Sequence, residues 1–299
     1  MVSINHHQLH VFYAVAREGS FSRGAQALGI SQPATSIQVR ELEAALGAQL
    51  CYRQRQGIRL TDLGELVYDY AHRILSLSRE LETAVDDTLG LRRGVMTIGA
   101  SSTPGEYLLP RVIGAFKAQY PGLQFSLRIS NTATVMQQVL RREVDLGVVG
   151  DALPSPETKL EPFADDEIVI VAAADSAIAA KQSISLEDVA AEGFVVRERG
   201  SATRRIAEEA LAALGVHLTV NMELGGNEAV KGAVAAGLGL GLISHYGITA
   251  EERAGMLVRL PVEGWKCVRP LYLVQRKDKH ETRAEREFID LLLGARKAQ

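Results

Sequence analysis

Three polar side chains recur at steps of four residues, at Gln32, Ser36 and Arg40. On an α-helix this spacing places them along one face, with Ile37 beside them. A glutamine amide can bond adenine in the major groove, an arginine can grip guanine or a phosphate, and an isoleucine can contact a thymine methyl. The face therefore predicts contact with the base edges of double-stranded DNA. From the pattern alone, a small helical bundle with a solvated polar face explains it equally well.

A second group of residues with binding chemistry falls at three predicted strand-to-helix junctions. Its members are Ser101, Ser102, Thr103, Ser130, Asn131, Thr132, Arg197, Arg199, Ser201 and Thr203. Hydroxyl groups, the free N–H groups of helix N-termini and nearby arginines together favour a small anion. Each Ser or Thr taken singly is more often a helix cap. Several junctions meeting at one predicted cleft favour ligand binding for the set, with Arg197 or Arg199 supplying the opposite charge.

The first group needs a small helical bundle to position it, and the surrounding residues predict one. Leu9, Phe12 and Val15 repeat at helical spacing and Gly19 follows as a stop, before a second short helix. A third helix begins near Pro33 and runs to about residue 46, where Gly47 ends it. Two short helices joined by a tight turn, the second with polar residues facing outward, predict a helix-turn-helix.

Two short alternating runs, residues 50–53 and 58–61, follow the third helix and predict a β-hairpin. Its exposed side would carry Arg53, Arg55 and Arg59, which suits contact with DNA phosphates. The charge distribution agrees, because residues 1–61 hold six basic and three acidic side chains while the whole chain has a net charge of −3. The hairpin therefore has the character of a DNA-binding wing.

The first 61 residues resemble the winged helix-turn-helix of LysR-type transcriptional regulators. The resemblance rests on Ser20-Phe21-Ser22, Ala25, Leu28, Ser31-Gln32-Pro33-Ala34, Ser36, Leu42-Glu43, Leu46-Gly47, Leu50, Arg53 and Leu60-Thr61-x-x-Gly64. Gly24, Cys51 and Leu63 depart from the usual pattern, and Arg55 comes one residue earlier than the second wing arginine of the family. We expect DNA contacts from Gln32, Pro33, Ser36, Ile37, Arg40, Arg53, Arg55 and Arg59.

Residues 62–90 predict one long linker helix. Val67, Tyr70, Ile74, Leu77, Leu81, Ala84 and Thr88 follow each other at steps of three and four, with Leu66, Val85 and Leu89 beside them. Such a seam favours a two-helix dimer contact over a helix packed only on its own domain. The resemblance implies the same pairing, which would place two recognition helices on an inverted repeat.

Residues 91–299 alternate between strands and helices, which predicts an α/β body with largely parallel sheets after a hinge at residues 90–94. Predicted strands cover residues 95–100, 124–129, 146–149, 168–174, 193–197, 218–224, 239–243 and 271–275. Predicted helices cover residues 104–120, 135–142, 203–214, 228–236 and 283–293. The resemblance implies a type-2 periplasmic-binding-protein fold, with lobe one from residues 94–166 plus 269–299 and lobe two from residues 167–268. It also places an effector between the lobes, on positions such as Ser101, Thr103 and Thr203.

Several other kinds of site are not favoured. The glycines between Gly237 and Gly241 precede a predicted strand, whereas a dinucleotide-binding loop follows one. The histidines have no metal-binding spacing, and His6, His7 and His10 are expected to be exposed. Asp165-Asp166-Glu167 is expected to cap or to be solvated. Cys51 and Cys267 lie far apart, which suits a reducing cytosol and disfavours a thiol switch.

The sequence thus predicts a transcriptional regulator without enzymatic activity, cofactor or metal, controlled by a small, anionic effector. With no secretion signal or membrane span expected, the predicted location is the cytoplasm. Expected partners are operator DNA, the effector, a second copy through the linker helix, a tetramer through the bodies, and RNA polymerase. The alternative is a solute-binding or enzymatic α/β protein whose first 61 residues form a docking bundle.

Overall fold

The computed structural model describes residues 4–55, 57–88, 94–152 and 154–294, which form two compact units that divide between Val85 and Asp86. The helices are α1 His6–Glu18, α2 Phe21–Leu28, α3 Gln32–Leu46, α4 Asp62–Thr88, α5 Leu109–Gln119, α6 Thr132–Leu140, α7 Leu186–Ala191, α8 Ala202–Ala213, α9 Asn227–Ala235, α10 Thr249–Arg253 and α11 Arg283–Gly294. The strands are β1 Cys51–Gln54, β2 Gly57–Leu60, β3 Gly94–Ser101, β4 Leu123–Ser130, β5 Leu146–Gly150, β6 Thr158–Ala173, β7 Phe194–Arg197, β8 Val220–Leu224, β9 Leu240–Ser244, β10 Leu257–Arg259 and β11 Val268–Arg276.

The N-terminal unit is the predicted helix-turn-helix with a wing. Gly19, Gly29 and Gly47 end α1, α2 and α3 in the left-handed conformation, which glycine adopts without a steric penalty. The Ser31 side chain caps α3 by accepting a hydrogen bond from the N–H of Ala34. The sequence therefore located the C-terminal ends of α1 and α3 correctly, because a glycine stop is a local signal.

The core of this unit is formed by apolar residues from α1, α3, β1 and α4. Its fully or nearly fully buried members are Leu9, Val11, Phe12, Val15, Val39, Leu42, Leu50, Cys51 and Ala71. β1 and β2 pair antiparallel to form the wing, with Arg53 opposite Ile58. The part of the predicted wing at Gln56 lies outside the described residues.

The long helix α4 has a largely exposed apolar stripe. Tyr70, Ile74, Leu77 and Leu81 are between 40% and 66% exposed, although they belong to the predicted seam. An exposed row of large apolar side chains is unusual in a monomer, so the stripe remains a predicted dimer contact. The predicted neighbour Leu89 and the predicted hinge at residues 90–93 lie outside the described residues.

The C-terminal unit is built on strands in the order β4-β3-β5-β11-β6-β9-β7-β8, with β10 on β6. The strands β4, β3, β5, β11 and the first part of β6 form lobe one. The rest of β6 forms lobe two with β7 to β10. β6 pairs with β11 through Glu167 and with β9 from Ile168 onward, so it runs from one lobe into the other. Each lobe has its own apolar core.

The expectation of largely parallel sheets was wrong, because the sheets are mixed. The pairs β3–β4, β3–β5, β7–β8 and β7–β9 are parallel, whereas β11 runs antiparallel to β5 and β6, and β6 runs antiparallel to β9 and β10. β6 carries the chain from lobe one into lobe two and β11 carries it back, so the two strands run in opposite directions. The sequence also missed the first ten residues of β6, along with α7, α10 and β10.

Candidate functional site

The face predicted to contact DNA lies on α3. Gln32, Pro33, Ile37 and Arg40 are exposed there, as a DNA-contacting surface requires. Ser36 corrects the expectation that it faces outward, because it is only 6% exposed. It lies beneath the exposed side chains and accepts a hydrogen bond from Gln32 Nε2 at 2.9 Å. The exposed face that can contact DNA therefore does not include Ser36, although the helical spacing predicted that it would.

The wing arginines Arg53, Arg55 and Arg59 are exposed. The guanidinium of Arg53 lies 4.8 Å from the ring centre of Phe21, and that of Arg59 lies 5.7 Å from the ring centre of Tyr52. Stacking on an aromatic ring limits the freedom of an arginine while leaving its N–H groups available. The wing can therefore present positive charge to phosphates.

The C-terminal unit contains a cleft where the two lobes meet. Its lining residues are Ser101, Ser102, Thr103, Asn131, Thr132, Arg197, Ser201, Ala202, Thr203 and Arg269. They surround about 200 Å³ of space, including the part open to solvent. Ser130 and Arg199, which belonged to the predicted set, do not line the cleft, and Arg199 is exposed.

The lobe-one wall joins the ends of β3 and β5 to the start of α6. Ser101 Oγ at the end of β3 accepts a hydrogen bond of 3.0 Å from the N–H of Gly150 at the end of β5. Thr132 Oγ1 donates to the carbonyl of Gly150 at 3.3 Å. A Cβ at position 150 would lie 2.9 Å from Cζ of Arg269, so glycine permits the close approach of that guanidinium.

The lobe-two wall is organised by Arg197, which is 4% exposed. Its Nε and Nη2 donate to both carboxylate oxygens of Glu198, and Nη1 donates to Asn227. Nη2 also reaches across the cleft to Ser102 Oγ at 3.0 Å. Burial alone would raise the pKa of Glu198, but the hydrogen bond and charge of Arg197 outweigh it and hold that pKa below its ordinary value.

Two helices begin at the cleft, and both are capped by predicted site residues. Asn131 Oδ1 accepts from the N–H of Thr134 at the start of α6, at 2.9 Å. Ser201 Oγ accepts from the N–H of Arg204 at the start of α8, at 3.5 Å. Asn131 and Ser201 thus act as N-caps, which is the usual role of a single Asn or Ser at the start of a helix. Their helices still direct positive N-terminal dipoles toward the cleft.

Arg269 is a lining residue that the sequence reasoning missed. It is 3% exposed, and its Nη2 donates to Thr103 Oγ1 at 3.1 Å. The position lies in β11, 166 residues after Thr103, and only the pairing of β11 with β5 brings it to the end of β3. No local signal marks it.

Asp166 corrects the expectation that Asp165-Asp166-Glu167 is solvated or capping, because Asp166 is fully buried. Its carboxylate accepts from Nε and Nη2 of Arg269, at 2.9 and 2.7 Å, and from Ser244 Oγ at 2.6 Å. Burial alone would raise the pKa of Asp166, but the hydrogen bond with His245, the charge of Arg269 and the Ser244 hydroxyl together hold that pKa below its ordinary value. The pair fixes the Arg269 guanidinium at the cleft.

Neither cysteine shows the properties of a reactive thiol. Cys51 and Cys267 are buried and free, and burial raises the pKa of each to about 11. Within the described residues, no group of three or more His, Cys, Asp or Glu side chains is arranged to hold a metal ion. No helix in that part of the chain is long and apolar enough to cross a membrane.

Comparison with known proteins identifies both units. A family model described as the LysR substrate binding domain matches residues 89–297. A second, described as the bacterial regulatory helix-turn-helix protein of the lysR family, matches residues 6–65. The two matches together favour a regulator over a solute-binding or enzymatic protein with a docking bundle.

Individual proteins match all or part of the chain. The RuBisCO operon transcriptional regulator of Allochromatium vinosum is 37% identical, with 96% of this chain and 95% of that protein aligned. The regulatory domain of Synechocystis PCC6803 CcmR, solved in complex with 2-PG, is 28% identical, with a TM-score of 0.64 over 69% of this chain and 98% of that one. Full-length CbnR, solved with its target DNA, is 20% identical and shares the fold, with a TM-score of 0.73 over 97% of this chain and 99% of that one.

The helix-turn-helix with its wing, the long helix and the two-lobed α/β unit are thus the parts of one known architecture, and relatives more than 30% identical along nearly the whole chain are transcriptional regulators. The chain belongs to the LysR family of bacterial transcriptional regulators.

Proposed function

We propose that this regulator responds to a small phosphate- or carboxylate-bearing anion bound in the cleft. The observation that carries the proposal is the placement of Arg197 and Arg269 in the walls of one cleft, each donating to a hydroxyl of the same turn. Ser102 accepts from Arg197, and Thr103 accepts from Arg269. A hydroxyl that accepts from an arginine can direct its own hydrogen toward a ligand oxygen.

The charged side chains in the walls of the cleft are paired with opposite charges. Glu198 pairs with Arg197 and Asp166 pairs with Arg269, so both guanidinium groups can be buried without a net charge. Arg269 uses its Nε and Nη2 for Asp166 and Thr103, and within the described residues its Nη1 makes no hydrogen bond, so Nη1 can donate to a ligand. The N–H groups at the starts of α6 and α8 add partial positive charge. This donor set suits an anion and offers a cation little.

The similar regulatory domain of CcmR was solved in complex with 2-PG. 2-Phosphoglycolate carries one phosphate and one carboxylate, so it can engage donors from both lobes at once. We propose an anion of this class for the present cleft. The effector-contacting set is Ser101, Ser102, Thr103, Asn131, Thr132, Arg197, Ser201, Thr203 and Arg269.

On the DNA side, we propose that two copies pair through α4 and place two α3 helices on an inverted-repeat operator. Half-sites about 34 Å apart match paired recognition helices. We further propose that dimers assemble into tetramers through their C-terminal units and that the regulator contacts RNA polymerase. We also propose that it acts in the cytoplasm, by binding DNA and effector and not by catalysis. Effector binding would change the balance between arrangements of the assembly and thereby its hold on DNA.

Titration calorimetry on the full-length chain tests the effector. The panel comprises 2-phosphoglycolate, glycolate, inorganic phosphate, sulfate and, as a neutral control, glycerol. We expect the doubly functional anion to bind best and glycerol not to bind. Tight binding of a neutral or cationic compound, with none of the anions bound, would contradict the proposal. If Thr103→Val and Ser201→Ala both left the affinity for the best anion unchanged, the anion site would lie elsewhere.

A further inference from the structure

Ser36 is buried beneath the exposed face of α3, yet three side chains predicted to contact DNA converge on it. Its Oγ accepts from Gln32 Nε2 at 2.9 Å and from Arg53 Nη2 at 3.2 Å. Its backbone carbonyl accepts from Arg40 Nε at 3.3 Å. Gln32 and Arg40 are the neighbours of Ser36 on the helix, whereas Arg53 comes from the wing strand β1. One residue therefore connects the recognition helix and the wing.

The contact with Ser36 fixes which end of the Gln32 amide faces outward. An amide has two donor hydrogens on nitrogen and an acceptor oxygen, and the nitrogen of Gln32 is turned inward to Ser36. Ser36 uses one of the two hydrogens, so the oxygen and the second hydrogen remain for contact with a base. In the major groove, amino groups that an oxygen can accept from are found on adenine and cytosine. With its nitrogen held at Ser36, the Gln32 amide has its oxygen available for a base that offers an amino hydrogen.

The hydrogen bond from Arg53 to Ser36 likewise fixes the position of a side chain of the wing. The Arg53 guanidinium is held between Ser36 Oγ and the ring of Phe21, its centre 4.8 Å from the ring centre. Two fixed points restrict a side chain that otherwise has many rotamers. Arg53 is exposed, so the N–H groups not used by Ser36 can still reach a phosphate. The Ser36 hydroxyl therefore holds side chains of the wing and of the recognition helix α3 in a fixed relative position.

We propose that Ser36 is a positioning residue for base discrimination: it turns the Gln32 amide so that its oxygen reads an amino-bearing base, and it ties Arg53 to that arrangement. This rests on the proposed reading of DNA by α3. A serine serving only the core would affect stability alone. A serine that positions Gln32 affects the preference at the one operator position that Gln32 reads.

The test uses the full-length chain and duplex DNA. Selection from random duplexes defines the bound sequence, and competition anisotropy at one fixed salt concentration then compares all four base pairs at each position. The variants are Gln32→Ala, Ser36→Ala, the double variant and Gln32→Glu, which keeps the outward acceptor but cannot donate to Ser36. Ala is a good helix former, so Ser36→Ala should fold, and thermal melting checks this.

The matched control is Ser76→Ala. Ser76 is also a buried helical serine of this unit, and it accepts a hydrogen bond from Arg79 at 3.1 Å. We expect Ser36→Ala and Gln32→Ala each to lower discrimination about tenfold at the same position, with the double variant no worse than Gln32→Ala. Gln32→Glu should keep the preference for the same amino-bearing base, and Ser76→Ala should keep every ratio.

The other outcomes overturn the proposal, in distinguishable ways. Unchanged ratios in Ser36→Ala, with a loss in Gln32→Ala, would leave Gln32 as a reader and remove the role of Ser36. Unchanged ratios in Gln32→Ala would show that another residue reads the base. A uniform loss at all positions, or an equal loss in Ser76→Ala, would assign Ser36 a structural role only. If the wild-type chain selects no sequence, the proposed function fails together with the inference.

Discussion

Arg197 Nη2 donates a hydrogen bond of 3.0 Å to Ser102 Oγ, and this contact joins lobe two to lobe one across the cleft. Both residues are buried, at 4% and 7% exposed, so the bond is shielded from water. A buried donor that loses its partner costs more free energy than an exposed one, since water cannot replace the partner. The lobes are therefore connected at the point where an effector is proposed to bind.

Ser102→Ala should lower the free energy of unfolding of the C-terminal unit by about 1–3 kcal/mol, because one Arg197 N–H loses its buried acceptor. Urea unfolding followed by a probe in that unit measures the change. Ser183→Ala is the control, since Ser183 is exposed and its bond to Glu263 can be replaced by water. If the two substitutions lowered the free energy of unfolding equally, the predicted contribution of the buried Ser102–Arg197 hydrogen bond would be wrong.

Thr103→Val keeps the shape of the side chain and removes its hydroxyl. It should weaken binding of the anion by about 0.5–3 kcal/mol, with the larger value for a charged partner. Binding of DNA without effector should be unchanged, because the helix-turn-helix belongs to the other compact unit. Calorimetry with the best anion measures the first effect and anisotropy with operator DNA the second. A variant that loses DNA binding but keeps anion affinity would reverse this assignment.

Asp166→Asn should destabilise the C-terminal unit most at neutral pH, by about 3–5 kcal/mol, because it leaves the buried charge of Arg269 unpaired. The folded pKa of Asp166 lies below its ordinary value of 3.8, so its contribution to stability is present above that value. The contribution is lost as the pH falls below 3.8 toward the folded pKa. The difference between variant and wild type should therefore shrink in acid, as unfolding curves at pH 7 and pH 3 would show. A constant difference would mean that the carboxylate charge does not matter.

Ile74→Asp and Leu81→Asp should each abolish stable dimers, because each places a carboxylate in the predicted apolar seam of α4. Analytical ultracentrifugation at several concentrations measures the association state. Thr83→Asp is the matched control, because residue 83 is exposed and lies on the opposite side of the same helix. An unaltered association state in both seam variants would reject the α4 contact.

Arg40→Ala and Arg59→Ala should weaken DNA binding in different ways. Arg40 lies on the reading face of α3, so its loss should reduce discrimination at one position by about 1–3 kcal/mol. Arg59 lies on the wing and is expected to meet a phosphate, so its loss should weaken all sequences alike and reduce the salt slope by about one. Affinities for operator and mismatched duplexes over a range of salt separate these patterns. If both variants weakened DNA binding in the same way, the proposed difference between base reading by Arg40 and phosphate contact by Arg59 would be wrong.

The sequence by itself determined the features that depend on near neighbours in the chain. The C-terminal ends of α1 and α3 followed from Gly19 and Gly47, which adopt the left-handed conformation, and the start of α3 followed from Pro33. The polar junctions near Ser102 and Ser201 were found because strand and helix alternate around them. These signals lie within a few residues of the element that they define, so a single sequence contains them completely.

Tertiary structure decided what distant segments bring together. Helical spacing put Ser36 on the outward face, but the structure buries it, and Arg53 of the wing donates a hydrogen bond to its hydroxyl. Asp166 was expected to cap or to be solvated and Arg269 was not expected at all, yet they form a buried pair beside Thr103. Strand pairing between β11 and both β5 and β6 creates that contact. Such pairings join residues more than 100 positions apart, and their energy depends on burial and partner geometry that no local pattern specifies.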